Sequence, residues 1–536
     1  MSKRHAIGLA ALVAILFGSI ALSAAQSPDA PPAPHQGHLG TVNFPTSCSA
    51  AVQPTLERGV ALMHSFQYQE AQQAFDDAAS REPNCAMAHW GKAMSRYEQI
   101  WDLPDKKRLK SGHKEIEQAQ KLRPATPKEQ GFIAVAAAYY QKNSKIDYSG
   151  RTKAYSDALD KLHAQMPDDV EVGAFYALSL VALAEQDVDS LENQRRAIAI
   201  LQPLLEKYPD HPGVAHYLIH AADRPELAAQ GLEAARRYAA IAPDSPHALH
   251  MPSHIFVRLG LWQDSITSNI ASAASAARLA EEHKAESHYQ THAMDFLNYS
   301  YLQSGQETKA REVVSHMDHV VGADDETKLD HRAFLEARTA IELHRWREAA
   351  TLQDPPVRVD LLDTTRWARA IGAARLGDTD AAQAAVSALA ESVSARESRA
   401  RKAGYSVPTE KASDLAEAEA WLSFAKGNTD GALKEMREAA ERQEKNGGES
   451  VGIPAREMLA DMLLQLGQPR EALTEYRTVL KNAPNRFNAL VGAAHASQAI
   501  GDTSDAQTIF TKLTEICPRE ANRPELAEAK TFIATK

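Results

Sequence analysis

Six histidines fall in three pairs at helical spacing: His216–His220, His250–His254 and His288–His292. On a helix, residues i and i+4 project from one face with Cβ atoms about 5–6 Å apart. Neutral imidazole at that spacing is a two-nitrogen donor suited to zinc, copper, iron or nickel. Metal–nitrogen bonds of about 2.0–2.1 Å require the rings to converge. Two rings from one helical turn, with a third from a helix about 8–10 Å away, satisfy that requirement. Six rings could hold one ion with ligands to spare, or two. Asp295 stands at i+3 from His292 and joins the candidates, either as a ligand or as the acceptor of a ring N–H. The candidate metal ligands are therefore His216, His220, His250, His254, His288, His292 and Asp295.

The second pair begins 34 residues after the first and the third 38 after the second. A period of about 34 belongs to helix-turn-helix repeats, which predicts equivalent positions for the first two pairs on neighbouring units. Nine of the 21 histidines lie between residues 211 and 292. His211, His247 and His283 precede the pairs and read as helix-start or rim residues. His64 and His89 stand alone and read as structural. Pro252 removes a backbone donor inside the second pair, and is expected to set His250 ahead of the helix that carries His254.

The elements that must position these rings are amphipathic helices from about Gln53 onward, with no strand pattern. Leu459, Ala460, Leu463, Gly467, Ala472, Tyr476 and Pro484 form one unit of small and large residues. Ala494, Gly501, Ala506, Phe510 and Pro518 follow in the same register, and Gly59, Ala71, Phe75, Ala78 and Pro83 repeat it near the N-terminus. Small residues let paired helices approach, a large residue fills the gap, and proline ends the second helix. This pattern resembles the tetratricopeptide repeat (TPR) superfamily over most of residues 53–520. The histidine pairs, Cys85–Gly91 and Ile453–Glu457 also look like those of a group of exported bacterial TPR proteins.

The resemblance implies an all-α, TPR-like helix-turn-helix solenoid, a right-handed superhelix whose concave groove is lined by the first helix of each unit. With Gly260 at a turn position, His250 and His254 face that groove, and His216 and His220 inherit their places. With Gly305 at the next turn, His288 and His292 face it too, displaced along their helix by about 10 Å at 1.5 Å per residue. The superfamily also implies a peptide or protein ligand in the groove. Glu457 and Asp461 stand where some TPR proteins carry Lys and Asn to grip a terminal carboxylate, which weighs against that particular mode. In spacing, the His-x-x-x-His pairs are similar to those of type 3 copper proteins. No His-Glu-x-x-His string, phosphate loop or nucleophile elbow is present.

Lys3 and Arg4, the apolar run Ala6–Ala21 and Ser23-Ala24-Ala25 read as a signal peptide, which predicts a periplasmic or secreted protein with no membrane span after cleavage. A net charge of −11 argues against nucleic acid as partner. The expected organisation is a signal peptide over 1–25, a flexible leader over 26–45 and N-terminal repeats over 46–200. His-rich repeats occupy 201–320, further repeats 321–446, and C-terminal TPR units 447–536. A Cys48–Cys85 disulfide is chemically permitted in that compartment, and Cys517 reads as a buried thiol. Function divides two ways: a copper or zinc protein with one or two ions, catalytic or not, or a scaffold binding a peptide or protein.

Overall fold

A computed structural model describes residues 37–535, apart from 101–103, 143–145, 185–189, 284–286, 404, 406, 408–410 and 449–450. The expected signal peptide and most of the leader lie outside the described residues. From His38 onward the chain is one packed unit of helices, and among the described residues no strand occurs. Successive helices pack as antiparallel hairpins, for example Gln53–His64 with Tyr68–Arg81 and Phe487–Ala499 with Thr503–Ile516. This is an all-α solenoid of helical hairpins.

The small–large rule has a visible cause. A Cβ on Gly91 would come within 2.2 Å of the Phe75 ring, and one on Gly492 within 2.2 Å of Tyr476. In both places the glycine follows its aromatic partner by sixteen residues, so the same interlock closes the first and last parts of the array. Gly260 serves differently. It turns the chain at φ +66 and lies so close to Pro484 O that a Cβ would approach to 2.1 Å, a spot only glycine fills.

That contact shows the ends of the array meeting its middle. Trp262 Nε1 donates to Asn485 O at 3.0 Å, and Asn522 N to Gly305 O at 2.9 Å. Fully buried Arg486 bridges Glu342, Glu457 and the Tyr299 hydroxyl. Glu457 is thereby paired with Arg486. On the other side, Tyr289 Oη donates to Phe66 O at 3.1 Å. Cys48 and Cys85 form a disulfide across a separation of 37 residues. Cys517 is half-buried, and desolvation raises its thiol pKa to about 12. No helix among the described residues is long and apolar enough to cross a membrane.

Candidate metal centre

Four helices from three consecutive repeats deliver the histidines. Pro212–Ala222 carries His216 and His220; Pro246–His250 carries His247 and His250; Pro252–Arg258 carries His254; His288–Gln303 carries His292. Pro252 does split the second helix, yet the junction residue Met251 keeps helical angles of φ −52 and ψ −35. The trajectory therefore continues through the break. His250 stays on the face that bears His254, contrary to the expectation that proline would redirect it.

The rings gather into two triads. In the first, His216 Nε2 lies 3.0 Å from both His220 Nε2 and His247 Nε2. In the second, His250 Nε2 lies 3.0 Å from His254 Nε2, and the His250 and His292 ring centroids are 4.4 Å apart. Each triad offers donor atoms all within 4.8 Å of one another. One phenylalanine walls each: Phe66 contacts His216, His220 and His247 at centroid distances of 4.4–5.4 Å. Phe296 contacts His250, His254 and His292 at 4.6–5.2 Å. His216, His247 and His250 are no more than 2 % exposed, whereas His220, His254 and His292 are half-buried. The space the six rings surround, the chamber, is thus bounded by three buried and three partly exposed side chains.

Hydrogen bonds fix how three of these rings present themselves. His216 Nδ1–H donates to His64 O at 2.6 Å, and His254 Nδ1–H to Asp223 Oδ2 at 2.8 Å. His250 Nδ1–H donates to Asn269 Oδ1 at 2.7 Å, the amide being oriented by Asn269 Nδ2 giving its own hydrogen to Ser265 O. Each acceptor is a carbonyl or carboxylate oxygen and can only accept. In the neutral ring Nε2 is then a bare lone pair. On His250 and His254 the Nε2 atoms face each other at 3.0 Å, a gap that either a proton on one ring or a shared metal ion fills.

Electrostatics favour the neutral form of five of these rings. Burial, reinforced by the neighbouring histidines, holds His216, His247 and His250 well below the ordinary imidazole range. Desolvation pushes His220 down to about 3 and His292 to about 4. Asp223 stays ionised despite its burial, because Arg258 and the hydrogen bond from His254 outweigh the desolvation. Arg258 Nε donates to Asp223 Oδ1 at 2.9 Å, and its Nη1 reaches Gly447 O at 3.1 Å.

Of the seven residues picked from sequence, five converge: His216, His220, His250, His254 and His292. His288 does not enter a triad; its ring lies tilted against Tyr289, with centroids 4.0 Å apart. The displacement along the third helix is the reason, since only the ring one turn further in reaches the chamber. Asp295 is engaged elsewhere, gripped by Arg338 through its carboxylate and, at 2.7 Å, its backbone carbonyl. His247 takes the place that spacing assigned to His288. It was legible: His247, His250 and His254 form an i, i+3, i+7 stripe on one helical face, whereas His211 and His283 each stand five residues before their pair, off that face. The His283 side chain lies outside the described residues.

His211 and His64 belong to a separate buried cluster. Glu171 accepts from His64 Nε2 at 2.8 Å and from His211 Nε2 at 3.0 Å. His211 Nδ1 caps its helix by accepting from Val214 N, and His64 Nδ1 meets Tyr217 Oη at 2.9 Å. Glu171 is held well below the usual carboxylate range, the two histidines overcoming its burial.

A scan against protein-family models matched nothing, and a search of curated proteins likewise. Among solved structures, a tetratricopeptide repeat protein from Parabacteroides merdae is similar over 54% of this chain and 97% of that one, at 15% identity and a TM-score of 0.30. At that score the likeness says nothing of the chamber.

Proposed function

We propose that this is an exported TPR-like protein whose middle repeats hold a transition metal, copper or zinc, on histidines of the buried chamber. One observation carries the reading: the facing Nε2 atoms of His250 and His254, 3.0 Å apart. Two ring nitrogens this close take either a proton or a metal ion between them, and burial disfavours the proton on His250. Nitrogens at that spacing fit two ligands about 2.0–2.1 Å from a common ion. Support comes from the oriented far sides of the rings, since metal-bound histidines donate their other N–H to a carboxylate or carbonyl. The Cys48–Cys85 disulfide and the basic-then-apolar N-terminus favour an oxidising compartment, periplasmic or extracellular.

The rival, a scaffold for a peptide or protein partner, draws on the solenoid architecture and on a cleft of about 870 Å³ bordered by Phe334, Trp367, Arg396 and Lys411. Metal content separates the two. Protein stripped with chelator and reloaded should hold stoichiometric metal, and the triple variant His216→Ala, His254→Ala, His292→Ala should lose it while keeping its helical circular dichroism. No metal in the wild-type protein leaves the scaffold reading.

A further inference from the structure

Building on the metal reading above, we propose that the chamber holds two copper ions, one per triad, and that the pair takes up dioxygen between them. The six rings divide three and three rather than forming one cage. Within the triads, Nε2 atoms approach to 3.0 Å. Across them, the nearest rings are His247–His250 and His220–His254, with centroids 6.4 and 6.5 Å apart. Three nitrogens per ion leave a coordination position open, as in catalytic rather than closed structural sites. The two sets are neighbours, and in the proposed pair their open positions face each other.

Charge selects the ion. No carboxylate is a member of either triad. The carboxylate hydrogen-bonded to a donor ring, Asp223, is already matched by Arg258. Two divalent ions on six neutral imidazoles would place four positive charges in a buried space, at a steep desolvation cost. Two cuprous ions halve that charge. Among the metals suited to imidazole, copper is the one with an accessible monovalent state.

The same bookkeeping favours dioxygen as ligand. Each Cu(I) gives one electron and becomes Cu(II), while dioxygen accepts both and becomes peroxide. The O–O double bond becomes single, two Cu–O bonds form, and no proton moves. The chamber's total charge is unchanged, because the two added positive charges on copper meet the two negative charges of peroxide. Phe66 and Phe296 wall the triads, and the partly exposed rim of His220, His254 and His292 leaves access for a small neutral molecule.

The test is an anaerobic titration of the stripped full-length mature protein with Cu(I), followed by elemental analysis and measured oxygen uptake. The proposal expects two copper per chain, one dioxygen consumed per two copper, and no Cu(II) electron paramagnetic resonance signal, since bridged Cu(II) ions couple. His220→Ala and His292→Ala, each disabling one triad, should drop to one copper per chain and lose oxygen uptake. One copper in the wild-type chain overturns the pair while sparing the metal reading. No copper and no other metal sinks both. Two copper without oxygen uptake, or with an uncoupled Cu(II) signal, overturns the dioxygen step.

Discussion

Two histidine clusters lie side by side in this protein and share an atom's worth of boundary, yet only one has chemistry left over. Around Glu171, the N–H groups of His64 and His211 point at a carboxylate, and their remaining nitrogens are met by Tyr217 and a backbone amide. That network is closed. In the chamber, oxygen acceptors occupy the outer nitrogens of His216, His250 and His254, and the inner nitrogens converge on one another. Clustering alone does not distinguish a ligand set from a buried hydrogen-bond network; the tautomers forced by the surroundings do. The two are also coupled, because the His64 carbonyl that orients His216 belongs to the residue anchored by Glu171.

The comparison breaks most sharply at Glu171. Glu171→Ala strands two buried N–H donors and is expected to cost about 2–5 kcal/mol of stability, read by urea denaturation. A loss below about 0.5 kcal/mol would mean the network is not closed as described. Next is Gly213→Ala, whose Cβ would sit 2.3 Å from His64 Nδ1. Overpacking there should cost about 1–3 kcal/mol and also weaken metal binding by shifting the His64 carbonyl. Metal affinity left untouched would separate the clusters.

Asp223→Asn keeps an oxygen acceptor for His254 but removes the charge. It should weaken metal binding by about 10–100-fold in competitive chelator titrations, and it should also lower apo-protein stability, because Arg258 loses the carboxylate charge that matches it. Acid distinguishes the regions too. His220 and His292 have folded pKa values of about 3 and about 4 against an ordinary 6.5. The unfolded chain therefore binds protons first, so their contribution to apo stability is complete above pH 6.5 and is lost as pH falls from 6.5 toward 4. Glu171, depressed below 4.5, adds its loss only below that value. Flat apo stability from pH 7 to 4 would contradict the burial of the chamber rings. The smallest effect belongs to His288→Ala, which should leave metal content unchanged where His247→Ala reduces it.

How much of this was readable in the chain follows from what spacing encodes. Helical period gives the face a residue occupies, so His216, His220, His250, His254 and His292 were found, as were the turn at Gly260 and the interlock around Phe75 and Tyr476. Spacing does not give height along a neighbouring helix, which is why His288 and Asp295 were included and do not reach the chamber. His247 precedes a pair, as His211 and His283 do, but its helical phase differs from theirs. Phe66 and the His64 carbonyl lie some 150 residues before His216 and arrive through coiling of the array, which no local pattern records.

X-ray absorption at the metal edge of the copper- or zinc-reloaded protein addresses the chamber most directly. Nitrogen neighbours alone at about 2.0–2.1 Å, with the outer-shell scattering of imidazole, are the predicted result. A shell containing sulfur, or one dominated by oxygen without imidazole scattering, would contradict histidine ligation in the chamber.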